Sequence, residues 1–223
     1  MKISLIALVC FFLSGSATVV LAQEGVIHYD VIHDMRQFKK ADSAGMSNLP
    51  DSYLTKHVLY FNPEASFYTN AISQKEERQL NSGQIVGFPL YDVYLTPASN
   101  KRLLTNSLKG RTYMIEDTMG TRPWVLSEET KEILGYPCRK ATLTNSENKG
   151  SLTVWFTNQL RPALGPYLYH TLPGAVLEVD SNQGALVLKA TNVELRALTN
   201  KELAKPGKGK LVTKQEFENL LSK

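Results

Sequence analysis

Cysteine is almost absent from this sequence. There are two, Cys10 and Cys138. Cys10 lies in the apolar N-terminal stretch, so a processed chain keeps one thiol and can form no internal disulfide. Its stability must then come from its core. No Asn-x-Ser/Thr acceptor occurs either. Together these absences point to a bacterial envelope rather than a eukaryotic secretory route. A large charge excess is also missing. The formal net charge is +4, and the basic residues are scattered. The one cluster, Lys205 to Lys214, reads as a solvated linker, which excludes nucleic acid as a partner. There is no phosphate loop, no GxSxG elbow and no HExxH pair.

What is present begins with a leader. Lys2 is a short positive region, Ile3 to Leu13 is apolar, and Val20-Leu21-Ala22 fits a signal-peptidase site. Ser14-Gly15-Ser16 interrupts the apolar run well before the ~20 residues that a membrane span needs. Val9 before Cys10 does not suit a lipid anchor. Residues 1–22 are therefore expected to be a signal peptide, and 23–223 a single β-rich domain with no transmembrane segment. The expected location is the periplasm or cell envelope of a Gram-negative bacterium. Removal of Lys2 would leave 24 basic against 21 acidic residues.

The rest reads as short strands. In "GVIHYDVIH" the residues Ile27, Tyr29 and Val31 share one face. "KHVLYFN" and "ASFYTNAI" are separated by the turn signal Asn62-Pro63-Glu64. "YDVYLT", "RLLTNSL" and "RTYMIED" follow at meander spacing. "CRKATLT" and "SLTVWFT" make a hairpin in which Leu152, Val154 and Phe156 face one way, and Thr153, Trp155 and Thr157 the other. "AVLEVD" and "GALVLKATNVELRAL" flank "SNQ". "MRQFKKADSAGM" has helix-forming residues but weak periodicity. "LSEETKEIL" reads either as a helix capped by Ser127 or as an edge strand. At the C-terminus, Thr213 and Glu216 form a capping box ahead of Phe217, Leu220 and Leu221. The expected fold is mainly β: a single antiparallel meander sheet, curved or half-barrel-like, with a short C-terminal helix. Residues 201–213 form a basic linker and 214–222 the amphipathic helix.

Chemical candidates are few. Cys138 shares a strand face with Lys140 but has no base at a dyad spacing, so it reads as a buried structural thiol. His28, His33, His57 and His170 do not pair at ligand spacings and are expected on the surface. Glu76-Glu77, Glu116-Asp117 and Glu128-Glu129 are adjacent pairs, which point apart in a strand and make no two-carboxylate site. No catalytic residue, metal or cofactor is expected.

The most unusual stretch is "RPALGPYLYHTLPGAVLEVD", Arg161 to Asp180. It is apolar yet interrupted by Pro162, Pro166, Pro173, Gly165 and Gly174. The prolines deny it helix. Leu172-Pro173-Gly174 suits a type II turn with positive φ at Gly174. The stretch reads as a packed crossover between strands. As a ligand loop instead, its candidate residues are Tyr167, Tyr169, Leu172, Pro173 and Gly174.

These residues, with Gly135, Tyr136, Cys138, Lys140, Ala141, Trp155, Phe156 and Thr157, resemble the GLPGLI family of exported Bacteroidetes proteins. The naming motif here has Thr171 for its first glycine and Ala175-Val176 for Leu-Ile. The resemblance implies a cell-envelope protein and carries over no catalytic residue. The reading that follows is non-catalytic: a binding or carrier protein for an apolar ligand or lipid. The alternative is an accessory protein docking on an outer-membrane partner, with an enzyme third.

Overall fold

Among the described residues twelve strands join in one sheet, with β1 (Gly25–Asp34) near its middle. The computed structural model describes residues 23–36, 50–71, 92–145 and 150–221. The expected leader and most of the "MRQFKKADSAGM" segment lie outside these residues. One wing of the sheet is a meander of β2 (Ser52–Phe61), β3 (Ser66–Asn70), β4 (Asp92–Thr96), β5 (Lys101–Leu108) and β6 (Arg111–Thr118). The other holds β7 (Val125–Ile133), β8 (Tyr136–Asn145), β9 (Gly150–Thr157), β10 (Ala175–Ser181) and β11 (Leu186–Leu195), with β11 against β1 and β7 at the edge. β12 (Lys210–Thr213) runs parallel to β6 at the opposite edge, and α1 (Lys214–Leu221) follows it.

The mainly β architecture with one short C-terminal helix is as the sequence patterns imply. Two details exceed a meander. β1 pairs with β11 across most of the chain length, and the last four residues of the basic 201–213 segment form β12. "LSEETKEIL" resolves as the edge strand β7 rather than a helix.

Local chemistry sets the turns. Lys109-Gly110 joins β5 to β6 with both residues at positive φ, and Leu134-Gly135 does the same between β7 and β8. Paired positive φ is the hairpin geometry that matches strand twist. Thr213 and Glu216 close the capping box reciprocally: the Thr213 N–H donates to Glu216 Oε2 at 2.7 Å, and the Glu216 N–H to Thr213 Oγ1 at 3.2 Å. Phe217 of α1 is buried on the Tyr113 ring, 5.6 Å away. Leu221 is exposed, so the helix buries less than its apolar stripe allows.

One face of the sheet is the core. Ile27, Tyr29 and Val31 of β1 stand beside Leu59 of β2, Tyr68 of β3, Val154 of β9 and Leu188 of β11, all buried. Each such side chain contributes roughly 1.5–3 kcal/mol of burial free energy. Bulges interrupt β11 opposite His28/Tyr29 and β10 between Val176 and Glu178. Bulges bend a strand and raise its twist. Two connections cover this inner face. Residues 158–174 link β9 to β10, and residues 119–124 link β6 to β7. They meet where Trp124 Nε1 donates to Thr171 Oγ1 at 2.8 Å. The longer connection also reaches the other wing, where Arg161 donates to the Ala65 carbonyl at 2.9 Å.

The outer face is more polar. Lys56 pairs with Asp30 and Lys131 with Glu178, each at 2.8 Å. Residues 196–209 cross this face as a strap. Glu202 fixes it by accepting from Arg196 at 2.5 Å and from the Thr199 N–H at 2.8 Å.

Candidate functional site

The inner face changes character along its strands. Near Gly25 it is apolar; near His33 it becomes polar and aromatic. Register explains the grouping: Tyr29 lies opposite His57, Val31 opposite Thr55, and His33 opposite Tyr53. Facing residues of antiparallel strands project to the same side. Tyr68 joins from β3, stacked on the His57 ring at 5.1 Å with the planes only 9° apart. Tyr29 meets the Tyr68 ring edge-on at 6.2 Å, and His33 and Tyr53 lie 6.4 Å apart.

Burial sets the electrostatics. His57 is 5% exposed and His33 7%. Desolvation, with a smaller contribution from His33, lowers the His57 pKa to about 4. Burial also lowers that of His33 and pushes the Tyr68 phenol well above its ordinary range. His57 is thus a neutral imidazole at pH 7. Its Nε2 lies 3.1 Å from Thr55 Oγ1, while its Nδ1 and the Tyr68 hydroxyl are buried without a partner. Buried polar atoms are usually satisfied, and those that are not often mark a place for water or a ligand.

The expected loop contributes in part. Tyr167 and Tyr169 pack edge to face at 6.2 Å, and both act electrostatically on the Tyr68 phenol. Arg122 sits over the Tyr169 ring at 5.7 Å. Leu172 is buried in the core and Pro173 is exposed, so neither joins this group. Gly174 is not at positive φ, contrary to the turn reading. A Cβ there would overlap the Thr157 carbonyl oxygen, and one at Gly165 would overlap that of Tyr169. Both glycines permit close backbone approach rather than an unusual torsion.

The histidines also need correction. His28 is half-buried, and His33, His57 and His170 are buried. His170 is 0% exposed with both ring nitrogens unpartnered. Desolvation, aided by Arg102 and Arg122, lowers its pKa to about 4. The sequence pattern does not reveal this, because burial here is set by long-range packing: His33 and His57 lie on strands covered by distant connections, and His170 lies in the 158–174 connection itself. Cys138 is a free buried thiol, and desolvation raises its pKa to about 11. Among the described residues no three His, Cys, Asp or Glu side chains gather as metal ligands.

A mainly β domain of this topology has known counterparts. Residues 67–216 match the family model for the N-glycanase N-terminal domain. The chain belongs to this family. Solved structures of PNGF-II in C2 and P21 crystals share its fold, each with a TM-score of 0.63 and 18% identity over 91% of this chain. The chain spans only 33% and 34% of those chains. No curated protein sequence matches.

The family match overturns the GLPGLI resemblance. The residues that suggested it serve generic ends here: close backbone approach at Gly165 and Gly174, a hairpin turn at Gly135, and core packing at Cys138 and Phe156. Any crossover under a sheet can need these. The match also overturns the non-catalytic carrier reading, since the family takes its name from a glycan-cleaving enzyme. No described helix is long and apolar enough to cross a membrane.

Proposed function

We propose that the chain acts in the enzymatic removal of N-linked glycans, as the N-terminal domain of an N-glycanase-type hydrolase. The observation that carries this reading is the match of residues 67–216 to the N-glycanase N-terminal domain. The inner face of this domain carries a buried aromatic cluster. His57 and Tyr68 are buried, 5% and 1% exposed, so their stacked rings brace this face from below rather than meet a sugar directly. Tyr167 and Tyr169 line the same end. In the reaction, water adds to the side-chain carbonyl of a glycosylated asparagine. The carbon–nitrogen bond breaks, the peptide keeps a carboxylate, and the glycan leaves as a glycosylamine. The enzyme works outside the cytoplasm, in the periplasm or envelope, consistent with the leader expected at residues 1–22.

The test is incubation of the purified full chain with an N-glycosylated peptide, followed by chromatography of the released glycan. Release of the glycan by the chain is expected. A glycopeptide left intact at stoichiometric protein contradicts the proposal.

A further inference from the structure

A recess lies on the other face of the sheet, under the strap. It encloses about 260 Å³ between β4, β5, β6 and the segment from Lys205 to Leu211. That is just below the ~300–1,000 Å³ range of drug-sized ligand clefts, with room for one small ring. Its chemistry is two-sided. The Tyr94 ring, Met114 and Leu211 form an apolar wall. Thr96, Lys101, Lys205 and Glu116 stand around it as polar groups. Lys101 and Glu116 pair at 3.2 Å, yet their side chains are 64% and 50% exposed. Such a pair is weakly held and can share its donor and acceptor with a ligand.

From this geometry we infer that the recess under the strap binds a pyranose ring of an N-linked glycan. A pyranose has an apolar face of C–H groups, which suits an aromatic and aliphatic wall, and a rim of hydroxyls that both donate and accept. Glu116 accepts from one hydroxyl while Lys101 or Lys205 donates to its neighbour. A purely apolar ligand would leave these charged groups unused. A simple anion would be opposed by the Glu116 carboxylate. All of these residues also fall within 67–216, the stretch shared with the N-glycanase N-terminal domain. The identity of the sugar rests on the function proposed above; the recess does not.

The experiment is calorimetric titration of the full chain with a free oligomannose glycan ending in diacetylchitobiose, beside the glycopeptide release assay. Tyr94→Ala and Glu116→Gln are each expected to weaken glycan binding by roughly tenfold or more. Glu116 is a surface residue, so its variant keeps the fold if Tyr94→Ala does not. Glu128→Gln, fully exposed on β7 at the opposite edge of the sheet, is expected to bind the free glycan as the wild type does. Wild-type affinity in both recess variants overturns the inference, as does displacement of the glycan by inorganic phosphate or failure of the chain to bind glycan. Binding that needs Tyr94 and Glu116 without any glycan release upholds the recess and refutes the hydrolytic reading. Release with binding indifferent to both residues does the reverse.

Discussion

The Tyr29 hydroxyl donates to the Val176 carbonyl at 2.7 Å, both groups buried, across 147 positions of sequence. This bond ties the central strand to the point where the long connection re-enters the sheet. Tyr29→Phe removes the donor and leaves a buried acceptor short of a partner. The expected loss is about 1–3 kcal/mol, read as a lowered denaturation midpoint with unchanged slope. An unchanged midpoint would show that the bond does not anchor the connection.

Gly174 and Gly165 are predicted to be intolerant of a methyl group. Alanine at either must displace a carbonyl oxygen, Thr157 or Tyr169. Overpacking of this kind costs about 1–3 kcal/mol, occasionally more. Gly207 is the control: nothing lies near its added Cβ and its φ is ordinary. Gly207→Ala should be neutral or stabilise by about 0.4–1 kcal/mol through the unfolded chain. Equal melting temperatures for Gly174→Ala and Gly207→Ala would refute the close-approach account.

These two glycines show where sequence reading stopped. A glycine used for positive φ and one used for close approach look alike in one dimension. Strand alternation in Gly25–Asp34 was legible because its period is local, and so was the Thr213–Glu216 box. The pairing of β1 with β11 was not, because neither strand's pattern names its partner. The buried histidine and tyrosine cluster was missed for the same reason. His33 and His57 sit at inward positions of good strands, but only the connections folded over them make those positions buried. Tyr167 and Tyr169 were within reach, since an uncharged Pro/Gly-rich stretch had to pack on something.

Acid sensitivity follows from the buried imidazoles. His57 and His170 have folded pKa values near 4, lowered by burial, against about 6.5 in the unfolded chain. Above pH 6.5 both states are neutral and the contribution is complete. Between pH 6.5 and 4 the unfolded chain binds protons that the folded one does not. Stability should then fall with decreasing pH by about 1.4 kcal/mol per pH unit for each group. Denaturant midpoints measured from pH 7 to 4.5 should show this slope, and His57→Gln/His170→Gln should flatten it. An equal slope in the double variant would contradict the burial assignment.

Cys138 should react slowly. It is buried, and its thiol is pushed up to about 11, so little thiolate exists near neutrality. Labelling by a maleimide should proceed only with unfolding, and should accelerate in denaturant. Fast labelling of the native protein would mean that the thiol is open to solvent.

The central claim is that this chain serves amide hydrolysis at glycosylated asparagine. The direct measurement is mass spectrometry of an N-glycosylated peptide treated with the full chain in heavy-oxygen water. The account predicts that the modified asparagine becomes an aspartate carrying one heavy oxygen, with the intact glycan released. A peptide that keeps its first sugar, or that keeps its whole glycan, would contradict it.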